Sequence, residues 1–488
     1  MKKLHYLFLL CALVILSCKK ESTTNDFSAE IAVIENSLLP SIAIKGDSIP
    51  HFDLEKRMEE MNLPGLSVAV IKDGQLRWAK GYGVANITTN TLVDENTLFQ
   101  AGSISKPVAA LAILQLAQQG KVDLDTDVNT YLKQFTIPED GFTTIEKVTL
   151  RRLLTHTAGT TVHGFPGYKQ TESFPSDLQV IKGEGNTDAV VLDTLPGSMW
   201  RYSGGGYTIM EQVVEDVSGK SFQEYVDHNV LAKMEMANST YSQPLNEERH
   251  SQASAAYDFE GNIIEGYWNN YPEQAAAGLW TTPSDLAKYV IEIQEISAGK
   301  ANGVISQDMA KEMLTQHKND WGLGPVVKKA GDSLMFGHGG KNAGFTNDMK
   351  ASVYQGNGII VMTNGDSGNA IIGELVRGIS NYYDMDIMNT EMVEVFPFSE
   401  EEQSGYVGIY KLDRQVPGIG DYHVKLITEQ GKLTLIDSID NQTFVLQSVG
   451  ENNFRDFSEG EFFAFQKDTT NIVKSFVVNN RFNFQKVN

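Results

Sequence analysis

Cysteine is nearly absent: Cys11 and Cys18 are the only two among 488 residues. Both precede residue 19, so the chain beyond them has no disulfide and no thiol nucleophile. Positive charge is in deficit, with 40 Lys and Arg against 62 Asp and Glu and a formal net charge of −22. So acidic a surface argues against a nucleic-acid partner and repels anionic substrates at long range. Nine histidines are present, but none in an H-x-H or H-E-x-x-H spacing, so the sequence predicts no zinc site, and nothing in it implies another metal or an organic cofactor. Its apolar stretch near the N-terminus, residues 4–16, is shorter than the roughly 20 residues of a spanning helix.

That stretch follows Lys2 and Lys3 and reads as a signal peptide over residues 1–17. Ile15-Leu16-Ser17-Cys18 resembles the lipobox of bacterial lipoproteins. The resemblance implies cleavage before Cys18 and its acylation, and so an exported protein held on the membrane of the cell envelope, periplasmic or surface facing. Residues 18–49 read as a lipidated tether and lead-in, 50–390 as one domain, 391–404 as a linker and 405–488 as a second domain.

The chemistry concentrates in Phe99-Gln100-Ala101-Gly102-Ser103-Ile104-Ser105-Lys106-Pro107. Ser103 and Lys106 are three residues apart, so they share one face of a helix. The following residues, Val108 to Ala117, are apolar almost all round, which predicts a buried helix. Lys106 is then drawn into a dry site. Burial lowers the pKa of an amine, and only a lowered pKa lets lysine activate a serine hydroxyl. At the helix N-terminus, backbone N–H groups favour developing negative charge on a reacting carbonyl.

Residues 66–71 and 76–82 read as strands around an Asp73-Gly74 hairpin turn. Residues 159–200 are rich in Gly, Pro, Ser and Thr and predict a long loop bordering a cleft. A helix is expected over 207–217, a capped one from Thr282 and an amphipathic one over 369–382, with strands at 334–340 and 359–363. Beyond residue 405, short strands recur about every ten residues. The fold class is α+β: an antiparallel sheet flanked by helices, a mostly helical subdomain, and a C-terminal all-β barrel or sandwich.

Two further clusters are Trp200-Arg201-Tyr202-Ser203-Gly204-Gly205-Gly206-Tyr207 and Phe336-Gly337-His338-Gly339-Gly340-Lys341. S-x-x-K, then Y-S-x, then H-G-G, in this order, resembles the serine β-lactamase and penicillin-binding-protein superfamily. Within it the chain is most similar to class C β-lactamases, D-alanyl-D-alanine peptidases and family VIII esterases. The resemblance implies Ser103 as acylated nucleophile, Lys106 as its base and Tyr202 as the second proton-transfer group. It implies His338, Gly339 and Gly340 as the strand lining the cleft, and the N–H groups of Ser103 and Lys341 as the oxyanion hole. His156 and His163 are expected to be structural, His156 supporting its loop. Arg151 and Arg152 are expected to form a solvated or paired face.

Two departures from the family pattern stand out. Gly204 replaces the usual asparagine, which predicts a more open site. His338 replaces the strand lysine, which predicts carboxylate substrates binding better below roughly pH 6.5 as the imidazole charges. The Lys341 amine either compensates by reaching such a carboxylate or points to solvent. The expected activity is a serine hydrolase acting on a D-amino-acid peptide or short-chain ester, with a small-molecule or peptide substrate as its partner. A class C-like β-lactamase and a non-catalytic receptor cleft stay open, as does the oligomeric state.

Overall fold

The computed structural model describes residues 26–300, 303–416, 420–439, 442–458 and 460–487. The expected signal peptide and Cys18 lie outside these residues. Among them, no helix is long and apolar enough to cross a membrane.

The central sheet is built from β1 (Gly65–Lys72), β2 (Gln75–Asn86), β3 (Val326–Ala330), β4 (Ser333–Asn342), β5 (Phe345–Ser352) and β6 (Gly358–Thr363). The short pair Thr91–Leu92 completes seven strands, in the order Thr91–Leu92, β2, β1, β6, β5, β4, β3. All neighbours are antiparallel. Asp73 and Gly74 turn the β1–β2 hairpin with φ of 54° and 74°, the conformation that an Asp-Gly pair tolerates best.

Five helices position the site: α1 (Ser105–Gln118), α2 (Gly204–Ser218), α3 (Gln274–Ala277), α4 (Pro283–Ser297) and α5 (Asn369–Tyr382). Strand periodicity sends Leu66, Val68 and Val70 to one face, where they pack with Ile371, Leu375 and Ile379 of α5. Ala69 and Ile71 point the other way, into the larger core shared with α1 and α4. Every residue of α1 from Ser105 to Leu116 is buried, as its all-round apolar sequence requires. α4 starts where expected: Thr282 Oγ1 accepts the Asp285 N–H at 3.1 Å and Pro283 takes the first helical position.

The segments flanking this domain are more structured than a tether and a linker. Ser28–Glu35 is a helix, and its Ile34 packs with Leu38 and the α5 core. Ile42–Ile44 pairs in parallel with Glu391–Val393. Ser399-Glu400-Glu401-Glu402 starts a helix over Glu400–Ser404 through a capping box between Ser399 and Glu402.

The C-terminal unit is a barrel, not a sandwich. Its strands are β7 (Gly408–Leu412), β8 (His423–Glu429), β9 (Lys432–Asp437), β10 (Thr443–Gly450), β11 (Asn453–Asp456), β12 (Phe462–Lys467), β13 (Val473–Val478) and β14 (Phe482–Val487). They close edge to edge, each beside its sequence neighbour.

Candidate active site

Ser103 sits in a short 3₁₀ turn, Gly102–Ile104, that runs directly into α1. Six hydrogen bonds fix this turn and its surroundings. Ala101 N–H donates to Leu279 O at 2.8 Å. The Ser105 hydroxyl donates to Gly102 O at 2.6 Å and accepts the Leu279 N–H at 3.0 Å. Asn342 Nδ2 donates to Gln100 Oε1 and Ala277 O, and Asn347 Nδ2 to Gln100 O. The start of α1, the end of α3 and the β4–β5 hairpin are thereby tied together.

Lys106 Nζ lies 3.1 Å from Ser103 Oγ and donates to Ala276 O at 2.7 Å. The lysine is buried, and desolvation alone pushes its pKa down to about 7. With one hydrogen given to Ala276 O, the neutral amine keeps its lone pair and stands within hydrogen-bond reach of the serine hydroxyl. α3 is itself held from behind, where Glu211 Oε2 accepts the Ala275 N–H at 2.8 Å. Burial raises the Glu211 carboxyl well above its ordinary range and Glu273 to about 8, which favours the neutral acid at both.

Tyr202 comes from the residues just before α2, and Ser203 caps that helix by accepting the Gly206 N–H at 3.0 Å. The Lys106 amine is 5.0 Å from the centre of the Tyr202 ring. Burial raises the phenol pKa and the adjacent Ser103 hydroxyl partly offsets this, so the phenol stays protonated. Its oxygen is buried and makes no well-formed hydrogen bond, which leaves its proton available.

The strand side of the site is β4. Its two-residue turn, Ala343-Gly344, makes Asn342–Phe345 the hydrogen-bonded pair, so Lys341, paired with Thr346, turns its N–H away from β5. That N–H meets the serine turn: a Cβ on Gly102, whose φ is +54°, would come within 2.5 Å of Lys341 N. A Cβ on Gly340 would lie 1.9 Å from Ala101 O. The strand approaches the nucleophile this closely only because both positions are glycine. Gly339 is exposed on the opposite face.

Each residue expected at the site is therefore placed. Ser103, Lys106, Tyr202, His338, Gly340 and the backbone of Lys341 come together. The Lys341 side chain does not join them: its amine lies 3.4 Å from Asp366 Oδ1 and over the Phe259 ring.

The expectation for His338 is corrected. Its ring packs against Trp321 and Tyr202 at 5.4 and 6.2 Å. Burial, reinforced by the nearby Lys106 charge, pushes its pKa down to about 3. The imidazole is neutral throughout the physiological range, so it gains no charge near pH 6.5. The expectation of a more open site at Gly204 is also corrected. The Phe165 ring occupies the space of a side chain there, 2.7 Å from where a Cβ would stand.

Three residues stand out that the sequence reading gave no part in the chemistry. The His156 ring lies against the Tyr202 ring at 4.2 Å, and its Nδ1 accepts the Ser203 N–H at 3.1 Å. Burial drives its pKa well below the ordinary value, with Lys106 adding to the effect. Trp321 packs on His156 and on Tyr202, and Trp200 on Trp321. The sequence signals for this wall were the tryptophan in the Tyr202 cluster and His156, expected only to support its loop. Arg151 and Arg152 are paired, with Asp125 and Glu312 and with Glu146 respectively.

His156→Ala removes both the stack and the acceptor for a buried N–H. We expect kcat to fall about 10–100-fold with KM nearly unchanged, and stability to fall by about 1–3 kcal/mol. Steady-state kinetics and denaturant titration check both.

Residues 53–376 match the family described as Beta-lactamase. The chain belongs to the beta-lactamase family. It is 24% identical over 334 residues to "Protein flp" of Staphylococcus aureus (strain N315), covering 65% of this chain and 62% of that one. It is 22% identical over 277 residues to "Teichoic acid D-alanine hydrolase" of Staphylococcus aureus (strain MRSA252), covering 55% of this chain and 64% of that one. The chain thus spans a little under two thirds of the length of these relatives. Among solved structures, the octameric penicillin-binding protein homologue from Pyrococcus abyssi superposes with a TM-score of 0.59 at 20% identity, over 89% of this chain and 98% of that one. SurE with D-Leu gives 0.55 at 19% identity, over 89% and 97%. These two likenesses concern the fold alone.

Proposed function

We propose that this member of the beta-lactamase family is a serine hydrolase that works through an acyl-enzyme on Ser103. Its preferred substrates are D-alanyl or short acyl esters and amides with no carboxylate beside the scissile bond. The observation that carries this reading is the 3.1 Å contact between Ser103 Oγ and the buried Lys106 amine. Neutral Lys106 takes the hydroxyl proton as Ser103 Oγ attacks the carbonyl. The oxyanion is received by the N–H groups of Ser103 and Lys341. Tyr202, a protonated phenol in the resting site, donates to the leaving group, and the resulting phenolate then activates the water that releases the acid.

The substrate class follows from what the cleft offers. With His338 neutral and the Lys341 amine held by Asp366, neither strand residue places a cation for a substrate carboxylate. The similarity to a protein named as a teichoic acid D-alanine hydrolase supports an ester of D-alanine as the first substrate to try. A purely receptor role is disfavoured, because nucleophile, base and phenol are all present and converge.

A matched pair of p-nitrophenyl esters, one neutral and one bearing a terminal carboxylate, tests the substrate class. The neutral ester should have the higher kcat/KM, and the ratio should stay flat from about pH 5 to 8, since His338 does not charge there. A ratio that shifts toward the carboxylate ester as pH falls through 6.5 overturns this reading.

A further inference from the structure

The aromatic packing of the barrel is densest around Tyr406 and Tyr410. Tyr406 packs against Phe454 and Phe465 at 5.3 and 5.0 Å, and Tyr410 is fully buried. Elsewhere a cavity of about 470 Å³ remains between the strands. Its wall is Val424, Leu435, Phe444, Phe463, Phe476 and Phe484. Protein interiors are normally packed without such space. An apolar chamber of this size with a few polar groups at one side has the character of a small-molecule site.

The polar groups share one sign. Asp437 and Glu461 line the cavity, with Tyr422 and Gln442, and among the described residues no Lys, Arg or His does so. Both carboxylates are held in place. Asp437 accepts from the Tyr422 hydroxyl and, at 2.8 Å, from the Ile439 N–H, and Glu461 accepts from Asn479 Nδ2. Arg414 and Arg481 lie over the ring of Phe482, a lining residue, at 5.1 and 5.0 Å, and are not themselves part of the lining.

We propose that this chamber of the barrel binds an amphiphilic amine, with its apolar body between Leu435, Phe444 and Phe476 and its ammonium at the carboxylates of Asp437 and Glu461. The site belongs to the barrel alone and does not depend on the reading of the Ser103 site.

Titration calorimetry on the full chain tests it, with decylamine, decanol and decanoate as probes below their aggregation concentrations. Decylamine should bind about tenfold or more tightly than decanol, and decanoate more weakly than either. Leu435→Trp, which fills the chamber, should abolish binding of all three. Glu461→Gln, the milder change, should reduce the preference for the amine over decanol and leave decanol binding in place. Equal affinity for the three probes, binding that survives Leu435→Trp, or no binding to a chain whose circular dichroism shows it folded overturns the proposal.

Discussion

Ser103→Ala should lower kcat for any ester substrate by at least about a thousandfold while leaving the fold intact. The reason is geometric. Among the described residues, the hydroxyl hydrogen-bonded to the Lys106 amine is that of Ser103, and Ser105 two residues on is tied to Gly102 O and Leu279 N. Ser105 therefore cannot substitute, since using it would break both ties at the start of α1. The loss should fall on kcat rather than on KM, because the substrate-facing strand is untouched. Near-wild-type turnover in Ser103→Ala, with thermal unfolding unchanged, would place the chemistry elsewhere.

Lys106→Met should be inactive yet more stable than the parent. The amine is buried, and its pKa is lowered from 10.5 to about 7. The unfolded chain therefore binds a proton that the folded chain releases between pH 7 and 10.5. Stability from this group rises with pH across that window, and its cost is complete below pH 7. Removing the amine should thus stabilise the protein at pH 7 by on the order of 3 kcal/mol, after allowing for the lost bond to Ala276 O, and much less at pH 10. The same titration governs the parent enzyme. For a neutral ester, kcat/KM should fall about tenfold per pH unit well below pH 7, as the base becomes protonated. Thermal denaturation at the two pH values and a pH–rate profile check these outcomes together.

The sequence made the nucleophile and its base legible because both lie on one helical turn backed by an apolar helix, a local pattern. Tyr202 was legible only through resemblance, since nothing in its own neighbourhood points to Ser103. The state of His338 was not legible at all. Its depressed pKa comes from burial beside Lys106, and those two residues are brought together only by β4 passing α1. Gly204 was misread for a similar reason, because the ring that fills its space, Phe165, comes from the preceding loop.

In the barrel, the recurrence of short strands about every ten residues was legible, whereas Asn453–Asp456 is only four residues long and contains one apolar side chain. Ser399 and Glu402 carried a capping-box pattern that signals a helix, and four polar residues in a row drew attention to a linker instead.

The most direct test of the acyl-enzyme is intact-protein mass spectrometry after brief exposure to a fluorophosphonate or a slowly hydrolysed acyl ester, followed by peptide mapping. The account predicts a single adduct on Ser103, absent from Ser103→Ala and suppressed in Lys106→Met. An adduct on another residue, or none under conditions where the ester is being hydrolysed, would contradict it.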